Sequence, residues 1–181
     1  MKLCKVMRFN IIVAIPLLIS SCMSIQKYPS EWPPLIDIED QICPNISGSY
    51  VNDGEKTDGI ITSLLGKWEA THFQINQLHD DTLEILFLDN DTLVDKNIYS
   101  KKKGEYSCTP EGVRISFGTK ASTQIGEGLM PVSLNWASLY LTKNTDGELV
   151  VKATSSGMGF VVVFPVAGYA ADYARFKQKQ E

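Results

Sequence analysis

Two histidines, His72 and His79, are the side chains of this sequence best suited to acid–base chemistry near neutral pH. A Ser-His-Asp triad would need one of them beside an exposed serine, yet the chain has no G-x-S-x-G motif to supply it. His79 lies in the polar stretch Leu78-His79-Asp80-Asp81, which is typical of a turn, and His72 alternates with Phe73 on a predicted strand. The sequence therefore predicts no catalytic residue and no enzyme activity.

Carboxylates could act in pairs or as metal ligands, as in glycoside hydrolases and calcium loops. The stretch Asp89-Asn90-Asp91 alternates oxygen ligands but lacks the later glycine and glutamate of a calcium loop. Cysteines and histidines are too few and too far apart for a zinc site. Acids that lie in predicted turns, where they bond to nearby backbone, include Asp53, Asp58, Asp89, Asp91 and Asp146. We therefore expect no metal site and no cofactor.

Residues 1–21 have the composition of a secretory signal peptide. Lys2, Lys5 and Arg8 form a basic start, which the apolar run 9–19 follows. As a helix, this run would reach about 16 Å, roughly half of the ~30 Å hydrocarbon core of a bilayer. It is therefore too short to span a membrane, and we expect it to be a leader.

The segment Ile19-Ser20-Ser21-Cys22 resembles the lipobox of bacterial lipoproteins: an aliphatic residue, two small residues and a cysteine. The resemblance implies cleavage before Cys22, diacylglycerol on its sulfur, and a fatty acid such as palmitate on the new amino terminus. Met23, where an Asp would favour the inner membrane, implies an outer-membrane protein facing the periplasm. Each buried CH₂ contributes about 0.8 kcal/mol, so several acyl chains would anchor the protein stably. The alternative is an ordinary signal peptide with a cysteine near its end by chance.

The net charge of the chain bears on which classes of partner it could bind. The chain has 17 basic and 21 acidic residues, and three of the bases with none of the acids lie in the first 21 residues, leaving 14 against 21, or −7. Phosphate backbones and anionic head groups both require a basic face. The sequence therefore predicts no nucleic-acid partner, and a membrane partner only through the lipid anchor.

Four cysteines are present, and the leader would remove Cys4 while lipid would occupy Cys22. Cys43 and Cys108 then remain in an oxidising compartment, where a disulfide between them is the simple interpretation. It would close a loop of about 66 residues, worth up to about 4 kcal/mol in the chain-entropy model. Two unrelated buried thiols are the alternative.

We divide the mature chain into a tether at 22–41, which includes the acylated cysteine, and one domain at 42–181. Prolines stiffen the tether and polar residues solvate it. Its apolar residues could dock on the domain or only touch its surface; they are Trp32, Leu35, Ile36 and Ile38.

Alternation of apolar and polar residues predicts β-strands through most of the domain. Two hairpins are expected, one at Asp89-Asn90-Asp91 and one at Asp146-Gly147, and a change of parity near Leu139 suggests a bulge. The apolar run Phe160 to Phe164 suggests a central strand. Further strands are predicted around Leu83–Leu88, Thr92–Tyr99, Val113–Phe117, Val132–Trp136 and Glu148–Ala153.

Helical signal is confined to Ile60–Leu65 and Tyr169–Lys177. The expected fold is mainly β. It is a single antiparallel meander that forms a small lipocalin-like β-barrel or a curled sandwich, with a short C-terminal helix.

The segment Cys43 to Tyr50 resembles the start of the mature domain, C-P-x-[IL]-S-G-x-Y, in a group of uncharacterised proteobacterial lipoproteins. Later elements of that group match Tyr106-Ser107-Cys108 and the aromatic-rich end Tyr169–Phe176. The resemblance supports pairing of Cys43 with Cys108 and implies no activity. Gly48-Ser49-Tyr50 is also similar to the G-x-W start of lipocalins, without the tryptophan, which implies barrel topology alone.

Two functional classes follow from these expectations. The first is a non-catalytic, lipid-anchored binding barrel for a small or apolar ligand. The second is a structural, accessory or inhibitor-type module that contacts an envelope protein. An enclosed cavity of several hundred Å³ would favour the barrel, and a large exposed apolar patch would favour the interaction module.

Overall fold

The computed structural model describes residues 22–38, 43–52, 70–79, 81–123, 132–161 and 164–180. These residues contain strands and no helix long and apolar enough to cross a membrane. The strands are β1 (Cys22–Ile25), β2 (Gly48–Val51), β3 (His72–Leu78), β4 (Thr82–Asp89), β5 (Thr92–Ser100), β6 (Tyr106–Thr109), β7 (Gly112–Thr123), β8 (Val132–Lys143), β9 (Leu149–Val161) and β10 (Phe164–Phe176).

The strands form two sheets. One has six strands in the order β1-β10-β9-β8-β7-β6, and the other has four in the order β2-β3-β4-β5. All neighbours are antiparallel except β1, which runs parallel to β10. The mainly β prediction is therefore confirmed in its sandwich form, and the two sheets do not close into a barrel. No described strand of one sheet is a ladder neighbour of a strand in the other sheet.

Alternation along the strands builds the core between the sheets. On β4, Leu83, Ile85 and Phe87 are buried while the residues between them are half-buried. The same alternation places Leu139 and Leu141 of β8 against this face. The largest fully buried side chains come from both sheets and include Tyr50, Phe73, Phe87 and Phe176. Burial at about 25 cal/mol per Å² of apolar surface stabilises this arrangement.

Both predicted hairpins are confirmed. Asn90 and Asp91 connect β4 to β5 with positive φ angles of 47° and 64°, a backbone state that Asn and Asp tolerate. Gly147 turns β8 into β9 with φ 81°. The bulge expected near Leu139 is wrong, because β8 pairs with β9 in unbroken register from Ser133 to Lys143. The register shift of this region lies in the neighbouring strand β7, between Phe117 and Lys120.

The predicted C-terminal helix at Tyr169–Lys177 is wrong, because Tyr169 to Phe176 belong to β10. This strand pairs with β9 over its whole length, from Phe164 opposite Val161 to Phe176 opposite Leu149. The i, i+4 spacing of Tyr169 and Tyr173 fits a helix face, but it equally fits one face of a strand. Pairing with β9 along the whole segment decides in favour of a strand over a helix.

The central strand predicted at Phe160 to Phe164 is also wrong. The run crosses a chain reversal, because β9 ends at Val161 and β10 begins at Phe164. Residues 162–163 and the possible helix at Ile60–Leu65 lie outside the described residues. A uniformly apolar run carries no period, so it cannot indicate where a strand turns back.

The disulfide between Cys43 and Cys108 is present, with an S–S distance of 2.04 Å. Cys43 precedes β2 of the small sheet, and Cys108 lies in β6 of the large sheet. The bond therefore ties the two sheets together at one edge of the sandwich.

The segment between β1 and residue 38 lies across the outer face of the large sheet. Trp32 is buried there, with its ring 5.7 Å from Tyr28 and the Arg175 guanidinium 5.1 Å away. The Ile36 N–H donates to the Lys143 carbonyl (3.0 Å). Leu35 and Ile36 remain exposed, so Trp32 anchors this segment.

Candidate functional site

Cys22, the predicted acylation site, is the first residue of edge strand β1. Pairing partners across the large sheet form one row: Cys22, Gly168, Gly157, Asn135 and Lys120. From this row β1 runs in the direction of β10, toward Phe176. In the described part of the chain, strand pairing thus begins at residue 22.

A groove opens at the opposite end of the sandwich. From the row of Cys22, β10 continues through Phe176 for about 26 Å at ~3.3 Å per residue. The chain beyond it, 177–180, then crosses to the small sheet, where the Val51 N–H donates to the Lys177 carbonyl (2.9 Å). The Lys179 N–H donates in turn to the Ser49 carbonyl (2.8 Å). This tail forms one wall of a groove of about 1290 Å³ whose other walls are β2, β3 and the β8–β9 hairpin.

Asn144 organises the hairpin wall through its side-chain hydrogen bonds. Asn144 is fully buried, and its Oδ1 accepts the backbone N–H groups of Asp146 (3.1 Å) and Glu148 (2.9 Å). Its Nδ2 donates to the Glu148 carboxylate (2.7 Å), which also meets Arg175 at 3.4 Å. The Glu148 carboxylate at the groove wall is therefore held by Asn144 and Arg175.

Three charged or titratable side chains meet on the tail side of the groove. The Lys179 ammonium donates to Asp91 Oδ1 (2.6 Å) and lies 3.2 Å from His72 Nε2. His72 Nε2 is itself 3.3 Å from the same Asp91 oxygen. Since His72 is buried and Asp91 is exposed, Lys179 links the interior of β3 to the turn between β4 and β5.

The Thr71 hydroxyl contacts both neighbouring backbone and His72. It donates to the Leu88 carbonyl (3.2 Å) and accepts the Asn90 N–H (3.2 Å). It also lies 3.2 Å from His72 Nδ1, while His72 Nε2 faces Lys179. The hydroxyl is committed to backbone and is not poised as a nucleophile.

Lys179 also sets the ionisation of Asp91. Its hydrogen bond and its charge hold the pKa of the Asp91 carboxyl below the usual range. Nearby, burial lowers the pKa of Lys143, whose ammonium donates to the Ser47 carbonyl (3.0 Å). The charges at this end of the molecule thus hold chain segments together.

We predict that acid loosens the tail. A carboxyl with a depressed folded pKa stabilises the fold above its unfolded pKa, and this contribution is lost as pH falls through the folded pKa. In Asp91→Asn, the Lys179 amide should exchange hydrogen a few-fold faster than in the wild type near neutral pH. In acid, the exchange rates of this amide in the two proteins should become equal. Hydrogen exchange measured by mass spectrometry tests both expectations.

Asp37→Asn, which also removes an exposed carboxylate, serves as the control and should match the wild type throughout. Equal exchange of Lys179 in the wild type and Asp91→Asn at neutral pH would contradict the role assigned to this ion pair.

Sequence reasoning placed His72 on a strand, and the structure agrees, but it did not find Lys179 or pair Asp91 with it. Along the sequence, Lys179 lies 88 positions from Asp91 and 107 positions from His72, and no local pattern joins them. Among the described residues no group of three or more His, Cys, Asp or Glu side chains is arranged to hold a metal ion. Cys22 and the disulfide lie away from the groove.

Comparison with protein-family models, with curated proteins and with solved structures finds no match to this chain.

Proposed function

We propose that this protein is a bacterial envelope lipoprotein, acylated on Cys22, which acts without catalysis as an accessory module that presents its groove to an envelope partner. The observation that carries the proposal is the placement of Cys22. It starts the edge strand β1 beside Gly168, about 26 Å along β10 from the end that holds the groove. An anchor there would hold the groove away from the bilayer.

Packing favours the interaction module over a carrier of an apolar ligand. The ring of Phe73 lies 5.6 Å from Tyr50, 6.3 Å from Phe87 and 5.1 Å from Phe176, so these aromatic side chains pack against one another between the sheets. The described groove is open, and charged and amide side chains contribute to its walls. An apolar ligand would gain little there, whereas a polar partner could exchange hydrogen bonds with Gln74 and Gln180.

The contacts of His72 support the absence of catalysis. Its two ring nitrogens are engaged by Thr71 and Lys179, and the Thr71 hydroxyl is engaged by backbone. A general base needs a free position facing a substrate proton. Here the ring serves to fix the tail to β3.

Acylation is tested in a Gram-negative host that expresses the full chain with an alkyne-tagged fatty acid in the medium. The wild type should enter the membrane fraction and carry the label. Cys22→Ala should do neither, because the acyl chains on Cys22 supply the membrane affinity of the wild type. Cys4→Ala is the matched control, since it removes a cysteine that cleavage would discard, and it should behave as the wild type. Labelled, membrane-bound Cys22→Ala would overturn the proposal.

A further inference from the structure

The outer face of the large sheet carries three rows of side chains that strand pairing brings together. Residues directly opposite each other on neighbouring strands lie on the same face, so the register defines each row. On β8, the alternating residues Leu139 and Leu141 are buried in the core, so the rows face away from the small sheet. The first row is Trp136, Ser156 and Tyr169, the second is Ser116, Ser138, Thr154 and Ala171, and the third is Arg114, Tyr140, Lys152 and Tyr173.

The first row offers aromatic rings to a ligand. Trp136 is 37% exposed and Tyr169 is half-buried, and about 10 Å separates their strands, with Ser156 between them. An exposed ring on a sheet face stacks on flat partners, as aromatic side chains do on bases. The face of a sugar ring that carries its C–H groups is such a partner. At the far side of the rows, Tyr28 of the tether borders the face, with its ring edge-on to Tyr173 at 5.7 Å.

The third row holds a cation in a defined place. The Arg114 guanidinium lies 5.8 Å from the centre of the Tyr140 ring and donates to the Ser138 hydroxyl from Nε (3.3 Å) and Nη2 (3.2 Å). The Lys152 ammonium lies 5.5 Å from the same ring and donates to the Glu111 carboxylate (2.6 Å). Glu111 therefore neutralises Lys152, whereas the exposed Arg114 is positioned by neutral groups and can pair with an anion.

Hydroxyl groups lie between the aromatic row and the cation. The Thr154 hydroxyl donates to the Ser138 carbonyl (3.4 Å), and Ser116 is exposed. An apolar partner would strip water from these groups, whereas a partner rich in hydroxyls replaces the lost hydrogen bonds. The excess of 21 acids over 14 bases beyond residue 21 opposes a polyphosphate, but a single carboxylate beside Arg114 is favourable. The face therefore suits a sugar chain that carries carboxylates.

We propose that this face binds a glycan strand of the bacterial cell wall, with a sugar ring stacked on Trp136 and a carboxylate paired with Arg114. The two rows are four residues apart along β8, about 13 Å at ~3.3 Å per residue, so a strand of linked sugars can reach both. Wall glycan alternates N-acetylglucosamine with N-acetylmuramic acid, whose lactyl group supplies the carboxylate. The cell wall as source rests on the envelope location proposed above. The rows share no residue with the described groove, so this is a second binding surface.

The test compares two soluble tetrasaccharides by isothermal titration calorimetry. One alternates N-acetylglucosamine and N-acetylmuramic acid, and the other, chitotetraose, contains N-acetylglucosamine alone and so lacks the carboxylates. The protein is purified in detergent from cells that express the full chain, and its acyl mass is recorded. The wild type should bind the acidic tetrasaccharide about tenfold more tightly, because a charge-assisted hydrogen bond adds to stacking.

Two variants separate the cation from the ring. Arg114→Gln should remove the preference for the acidic sugar and leave the binding of chitotetraose unchanged. Lys102→Gln, at an exposed lysine in the turn between β5 and β6, is its control and should keep the preference. Trp136→Ala should weaken binding of both sugars at least about fivefold, as loss of a stacked ring does. Leu93→Ala, at a side chain 54% exposed on the small sheet, should bind as the wild type.

Failure of the glycan site and failure of the anchor give different results. Equal affinity of the wild type for the two sugars, or unchanged binding in Trp136→Ala, overturns the glycan site. Acylated protein that binds neither sugar also overturns it and leaves the anchor standing. Protein that prefers the acidic sugar but carries no acyl mass supports the site and overturns the lipoprotein proposal.

Discussion

Phe73→Ala is expected to lower the free energy of unfolding by about 3–5 kcal/mol, the usual loss when a buried phenylalanine is truncated. Phe73 is 1% exposed, and its ring contacts those of Tyr50 and Phe87 in the small sheet and Phe176 in the large one. The substitution would thus remove one of the aromatic contacts that join the two sheets. Urea unfolding followed by circular dichroism measures the effect.

Leu93→Ala is the control for this experiment. Leu93 is 54% exposed, and exposed substitutions usually stay within about 0.5 kcal/mol of the wild type. If Phe73→Ala unfolds at the same urea concentration as Leu93→Ala, the packing described between the sheets is wrong.

Removal of the disulfide is the second large effect that we expect. Replacing Cys43 and Cys108 together with alanine should cost up to about 4 kcal/mol, because the bond closes a loop of about 66 residues and restricts the unfolded chain. The wild type in excess reductant should lose stability to a similar extent, while the double variant should not respond to reductant. Oxidised wild type that is no more stable than its reduced form would show that the bond contributes nothing to stability.

Local sequence patterns were sufficient for most of the β structure. Alternation on Leu83, Ile85 and Phe87 identified β4, because one face of a half-buried strand must be apolar. The turns at Asn90-Asp91 and Gly147 were predictable because few residue types adopt positive φ.

The errors in the prediction arose where pairing with a distant strand decides the structure. Ala170 and Ala171 are good helix formers, and nothing near them in sequence indicates that β9 will pair with all of β10. The apolar run 160–164 gave no sign of the reversal between Val161 and Phe164. Such features follow from the sheet as a whole.

The groove was beyond sequence reasoning for the same reason. Lys179 approaches His72 only because the tail 177–180 that follows β10 crosses to the small sheet and lies beside β2.

The most direct test of the account is the mass of the protein extracted from membranes, taken in native and denaturing conditions. We predict a chain that begins at Cys22, carries diacylglycerol and an amide-linked fatty acid, and is lighter by two hydrogens than its reduced form because of the Cys43–Cys108 bond. The native and denatured masses should agree once detergent is removed. A chain that retains residues 1–21 or lacks acyl mass would contradict the lipoprotein proposal, and a small molecule released on denaturation would contradict the interaction module in favour of a carrier.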